Sequence, residues 1–144
     1  MASIAINFFS EDISYTIKQK KALKSWIYDT IKSENFDLEE LNFIFCSDDY
    51  LLEINKTYLQ HDTYTDIITF DNNESGIKTI LGDIFISLER VFENANLYKT
   101  SRTDELHRVI IHGTLHLLGY KDKSAKDKTL MTKMENHYLS LRKF

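Results

Sequence analysis

Apolar residues recur along this chain with two periods, and the switches between them outline the elements. Ile4, Ile6 and Phe8 alternate across Ile4 to Phe9, which predicts a first strand. Ser10-Glu11-Asp12 offers a cap for a helix running to about Ile31, with Ile13, Ile17, Trp26, Ile27 and Ile31 at helical spacing. Leu41 to Cys46 reads as a second strand. Ser47 or Asp48 then caps a short helix through Tyr58. A polar loop from Gln60 to Tyr64 precedes a third strand, Ile67-Ile68-Thr69-Phe70, and a turn-rich stretch follows from Asp71 to Gly76. The fourth strand spans Ile80 to Ile86, where Gly82 predicts a bulge or the close approach of another segment. Ser87 caps a helix to about Tyr98, and Thr100 to Thr103 separates it from a longer helix. A last helix starts at the capping-box pair Ser124 and Asp127 and ends near Leu141. Its apolar stripe is read as Leu130, Met134, His137, Tyr138 and Leu141. The order βαβαββααα predicts an α/β or α+β fold: a single small domain over residues 1–144, with a mixed sheet of about four strands.

The long helix is apolar on nearly every side, through Val109, Ile110, Ile111, Leu115, Leu117 and Leu118, so it belongs at the centre of the fold. It carries His112 and His116, four residues apart and therefore on one face. Each buried imidazole needs a polar partner, and a metal ion supplies one to both. Gly119 follows the last apolar residue, where a left-handed residue stops a helix at little steric cost. Reversal there brings Asp122 back toward the histidines. Two nitrogens and one oxygen with room for water make a catalytic metal arrangement, here His112, His116 and Asp122. The spacing H-x-x-x-H-x-x-G-x-x-ligand is that of the long zinc-protease signature. Those proteases place a glutamate general base directly after the first histidine, and this chain has Gly113. Peptidase chemistry by that route is disfavoured.

Composition changes the picture little. A 42% hydrophobic and 28% charged content is that of an ordinary soluble domain. The lone Cys46 lies in an apolar string and reads as a buried thiol, as in a cytoplasmic protein. Neither a leader at Met1-Ala2-Ser3-Ile4 nor a run of membrane length is visible, so a cytoplasmic location and no membrane partner are expected. The net charge of −4 does not advertise nucleic-acid binding. Lysines nevertheless cluster at Lys18, Lys20, Lys21 and Lys24, and again at Lys121, Lys123, Lys126 and Lys128 beside the proposed metal site. The first set reads as a solvated face. The second borders the chemistry.

His112 to Tyr120, Thr65 to Phe70, Leu81 to Ser87 and the pair Met131 and Glu135 together resemble the YbeY family of rRNA maturation endoribonucleases along nearly the whole chain. His112, Gly113, Leu115, His116, Leu117, Gly119 and Tyr120 match its signature H-G-x-L-H-L-x-G-Y-D-H. Thr65-Asp66-Ile67-Ile68-Thr69-Phe70 is similar to its T-D-V-L-S-F strand, and Leu81 to Ser87 to its L-G-D-I-x-I-S strand. Met131 and Glu135 fit the M-x-x-x-E of its last helix. The family holds zinc with three histidines; here the third position is Asp122, also a legitimate zinc ligand, and Lys121 replaces the preceding aspartate. An arginine that the family carries shortly before the T-D-V-L-S-F strand is Leu59 in this chain. His61, Arg102 and Lys121 are candidate substitutes for its phosphate contact.

The resemblance implies a metal-dependent endoribonuclease with one zinc ion per chain, acting in maturation of the small ribosomal subunit at the 3′ end of 16S rRNA, with rRNA rather than DNA as partner. No general base is assigned. Thr65 and Asp66 read equally as cleft residues or as a strand-start cap, while Asp83 and Ser87 read as structural. The rival from another class is a non-catalytic ribosome-assembly factor, which Leu59 and the acidic net charge favour. A hydrolase with a different substrate ranks third.

Overall fold

The computed structural model describes residues 4–74 and 76–144. Met1 to Ser3, read above for a leader, and Ser75 in the predicted turn lie outside the described residues. The elements are β1 (Ile6–Ser10), α1 (Lys20–Ser33), β2 (Asp37–Cys46), α2 (Asp48–Leu59), β3 (Ile67–Asp71), β4 (Thr79–Ser87), α3 (Leu88–Leu97), α4 (Arg102–Leu117) and α5 (Ala125–Ser140). Their order is the predicted βαβαββααα. The four strands form one mixed sheet in the order β1-β2-β4-β3. β1, β2 and β4 run parallel, and β3 is antiparallel to β4.

Period-two alternation decides which side of each strand is buried. On β4 the buried positions Ile80, Gly82, Ile84 and Ile86 share one face, in register with Leu41, Phe43 and Phe45 on β2. That face packs with residues of α1, α3, α4 and α5 in one large apolar cluster. A smaller cluster of Cys46, Leu51 and Ile68 lies on the opposite face, under α2. Gly82 marks a close approach rather than a bulge. A Cβ there would lie 2.7 Å from the Phe70 carbonyl oxygen and 3.1 Å from Leu117. The bulge sits on β2 instead, between Leu38 and Glu40.

Two predicted boundaries and one predicted face differ, each because a tertiary contact overrides a local signal. α1 begins at Lys20, not after Asp12. The Asp12 carboxylate accepts the Ser47 backbone N–H at 2.9 Å and the Ser47 hydroxyl, so it serves the start of α2. Ile17 is buried from the connecting segment rather than from a helix. β2 begins at Asp37, four residues before its apolar run, because backbone pairing with β4 continues through polar residues, Asp37 opposite Thr79. On α5 the buried face runs through Met131, Glu135 and Tyr138, while Leu130 and Leu141 are 46% and 51% exposed. The apolar pattern points to the wrong stripe because one buried position is a glutamate.

Candidate metal centre

α4 is buried on most of its circumference, from Leu106 through Leu117, as its composition predicts. It lies close to the sheet because position 113 carries no side chain. A Cβ on Gly113 would sit 2.8 Å from Ile67 Cδ1 and 3.0 Å from Ile84 Cδ1. The glutamate that the zinc proteases carry at this place has no space here, which removes the peptidase route sterically as well as chemically.

The helix ends as Gly119 predicts. Gly119 has φ +104°, its N–H donates to the His116 carbonyl at 3.0 Å, and the Tyr120 N–H donates to the Leu115 carbonyl at 3.0 Å. This is a Schellman closure, and it turns the chain back across the helix end. Beyond it, Asp122 Oδ2 lies 3.4 Å from His112 Nε2 and 3.4 Å from His116 Nε2. The two Nε2 atoms are 3.0 Å apart. All three predicted ligand residues therefore converge, and they are a group able to hold a metal ion. Donors about 2.0–2.1 Å from a tetrahedral ion are separated by about 3.3–3.4 Å, so the triangle is the right size.

Both imidazoles have their other nitrogen committed. His116 Nδ1–H donates to the Tyr120 carbonyl at 2.9 Å, and a carbonyl only accepts. His112 Nδ1–H donates to Glu135 Oε2 at 2.6 Å. In the neutral tautomers each Nε2 thus aims a lone pair at the other and at a carboxylate oxygen. That arrangement repels itself unless a cation or proton sits between. Burial pulls the His112 imidazolium down, but the Glu135 hydrogen bond and the charges of Glu135, Asp122 and Asp66 outweigh it and leave its pKa above the ordinary value.

Glu135 is the functional residue that pattern reading did not assign a role. It is 7% exposed, and its second oxygen accepts from Arg108 Nη1 at 2.9 Å. Arg108 and His112 are four apart on α4, so one face presents both groups to a carboxylate on α5. That spacing was the available signal. A second support runs through Tyr120, whose hydroxyl donates to Glu34 Oε1 at 2.8 Å and ties the turn after Gly119 to the end of α1. The Tyr138 hydroxyl binds the other oxygen of the same carboxylate.

The three donors open on a cleft of about 890 Å³ between α4, the loop after α2 and the start of β3. Thr65 and Asp66 both line it, and the Thr65 hydroxyl also donates to the Ile67 carbonyl at the start of β3 at 3.4 Å, so the cleft and strand-start readings coexist. Burial pushes the Asp66 carboxyl up, against the lowering influence of His112. Of the cations considered as substitutes for the missing arginine, His61 lines the cleft; Arg102 instead packs 4.8 Å from the Phe92 ring centroid. Lys121 is not among the cleft residues, whereas Lys123 is. Asp83 and Ser87 have structural partners. Asp83 accepts from Asn42 and Asn72, and Ser87 caps α3 by accepting the Arg90 N–H at 3.2 Å.

Residues 5–142 match the family model described as Endoribonuclease YbeY. This chain belongs to the YbeY family. The Endoribonuclease YbeY of Cytophaga hutchinsonii is 52% identical over 144 residues, covering 100% of each chain. That of Christiangramia forsetii is 48% identical over 136 residues, covering 94% of this chain and 93% of its own. The solution structure of TM1509 from Thermotoga maritima is similar at TM-score 0.65 and 29% identity, over 94% of this chain and 87% of that one. Within a YbeY frame, the departures at Asp122 and Leu59 both face the cleft. Both replace a basic side chain of the family motif, so they lower the positive charge of the cleft.

Proposed function

We propose that this protein is a metal-dependent endoribonuclease that hydrolyses a phosphodiester of rRNA during maturation of the small ribosomal subunit at the 3′ end of 16S rRNA. Residues 1–144 act as one hydrolase domain in the cytoplasm, with one zinc ion per chain held by His112, His116 and Asp122. The observation that carries this reading is the donor triangle, three atoms 3.0–3.4 Å apart with each imidazole oriented by a separate acceptor. The names of the relatives supply the substrate class.

Bound there, the ion supplies Lewis acidity toward a phosphoryl oxygen and makes water a stronger acid. The chain's own residues do the rest. Glu135 and the Tyr120 carbonyl fix the ring orientations. Asp122 gives the site one less positive charge than a third imidazole would. Asp66, on the rim beside His112, adds a carboxylate within the cleft. Among the described residues, no helix is long and apolar enough to cross a membrane.

Elemental analysis of wild type, His116→Ala, Asp122→Ala and Asp122→His is the first test. Metal is expected in wild type and Asp122→His, and is lost or weakened in the two alanine variants. Equal content in all four would remove the assignment. Purified protein should then cleave labelled precursor rRNA, and a chelator should stop it. A second reading, a non-catalytic assembly factor, is favoured by Leu59 where a phosphate-binding arginine stands in the family motif. Binding without cleavage, indifferent to chelator, would select it.

A further inference from the structure

Glu105, on α4 before His112, is 6% exposed, yet no donor among the described residues bonds its carboxylate. Among those residues no fully buried side-chain oxygen or nitrogen is left without a hydrogen-bond partner, so both of its carboxylate oxygens must be within reach of solvent. They are reached from a cavity of about 560 Å³ between the end of α3, α4 and α5, which Glu105 lines. This cavity shares no lining residue with the metal cleft.

The charges around the cavity tell what it is suited to hold. Asp104, Glu105, Arg108 and Arg142 all line it. Arg108 donates to Glu135 Oε1 at 2.9 Å and to Asn136 Oδ1 at 2.8 Å. Arg142 donates to Asp104 Oδ1 at 3.0 Å and to His107 Nδ1 at 2.8 Å. Glu105 is left without a counter-ion of its own. Burial pushes its carboxyl above the ordinary value despite the Arg108 charge, which is the cost of a carboxylate taken out of water unpaired. An anion in the cavity would meet that charge and find both guanidiniums already held by acids. A divalent metal would need further anionic ligands, and Glu105 belongs to no group of the described residues able to hold one.

A single positive charge with hydrogens to donate fits better. An ammonium group brings both, with three N–H donors. The hydroxyls of Thr100 and Ser140 offer it acceptors beside the carboxylate. The cavity is much larger than an ammonium ion, and the Tyr98 ring, 66% exposed, and Leu139 give it apolar walls along which an alkyl chain can lie.

We propose that this cavity is a binding site for a primary ammonium group on an alkyl chain, with Glu105 as its counter-ion. The site stands whether or not the metal cleft cleaves RNA.

The test is an NMR titration of the metal-loaded protein with n-butylammonium at pH 7 and fixed ionic strength, with n-butanol as the uncharged control and sodium as the bare cation. Amide signals of Thr100, Asn136 and Ser140 should move with butylammonium and stay still with butanol or sodium. Glu105→Gln keeps the shape and removes the charge, and should weaken binding roughly ten- to hundredfold. Tyr98→Ala should weaken it about two- to fivefold. Nα-acetyl-lysine N-methylamide, titrated in parallel, separates a free amine from a protein lysine, and the tighter binder names the source. Equal affinity in Glu105→Gln would overturn the site. Wild type alone can also overturn it, by an equal response to butanol or sodium, by shifts confined to Thr65, Asp66 and Asp122 at the metal cleft, or by no shift at all.

Discussion

Glu135 connects Arg108 and His112, two neighbours on one face of α4. Its carboxylate is buried, holds Arg108 with one oxygen and orients His112 with the other. A ligand histidine whose second nitrogen is fixed in this way loses less freedom when the ion binds, and its Nε2 becomes a better donor. Glu135→Gln keeps the shape and can still accept a hydrogen bond, but removes the charge. Metal affinity should fall about 10- to 100-fold, measured by competition with a chelating dye, with the helical circular dichroism unchanged. Unaltered affinity would mean that Glu135 serves only to neutralise Arg108. The same carboxylate explains the misread stripe on α5. A pattern of apolar residues cannot include a glutamate that is buried because its partners lie on another helix.

Two glycines, one on the central helix and one just past its end, act at the scale of the element. Gly119 supplies a positive φ that ends α4, and Gly113 lets α4 approach β3 and β4. A methyl group at 113 would press on Ile67 and Ile84, both anchored in strands and unable to swing away as a long exposed side chain can. Gly113→Ala should therefore destabilise the protein by about 1–3 kcal/mol despite the higher helix propensity of alanine, read from the urea midpoint. A stabilised variant would show that helix and sheet can separate at no cost. Element starts follow the same logic. The capping box at Ser124 and Asp127 is local and forms as predicted, whereas Asp12 is recruited by Ser47 across the fold and α1 starts late.

Across the whole molecule, stability should depend on acid through a histidine outside the proposed metal site. His107 is 4% exposed, between Trp26 and Phe144 at ring-centroid distances of 5.9 and 5.4 Å, and its Nδ1 accepts from Arg142 Nη1 at 2.8 Å. Burial, and then the Arg142 charge, lower its pKa to about 4. The unfolded chain therefore binds this proton more readily than the folded one. The contribution is complete above the ordinary value near 6.5 and is lost as pH falls toward 4. Denaturant melts at pH 7 and pH 4.5 should show wild type losing on the order of 2 kcal/mol more than His107→Phe. Equal losses would mean that His107 is protonated without penalty in the folded state.

Much of this protein was legible without a structure because the relevant signals are local. Alternation and helical periodicity depend on a residue's neighbours in sequence, so element order, the mixed α+β class and the burial of α4 follow from them. The convergence of His112, His116 and Asp122 was legible for the same reason. An i, i+4 pair and a left-handed stop at Gly119 lie within eleven residues of chain and need no distant partner. What depended on packing was silent in the periodicity of the chain. Glu135 reaches His112 from 23 positions away, and the Tyr64 ring, in the loop before β3, meets Arg90 of α3. The backbone pairing that extends β2 is likewise not written in side chains. Charge burial, ring support and strand length were decided by partners that only the tertiary structure brings together, because a buried polar group is stable solely in the company that satisfies it.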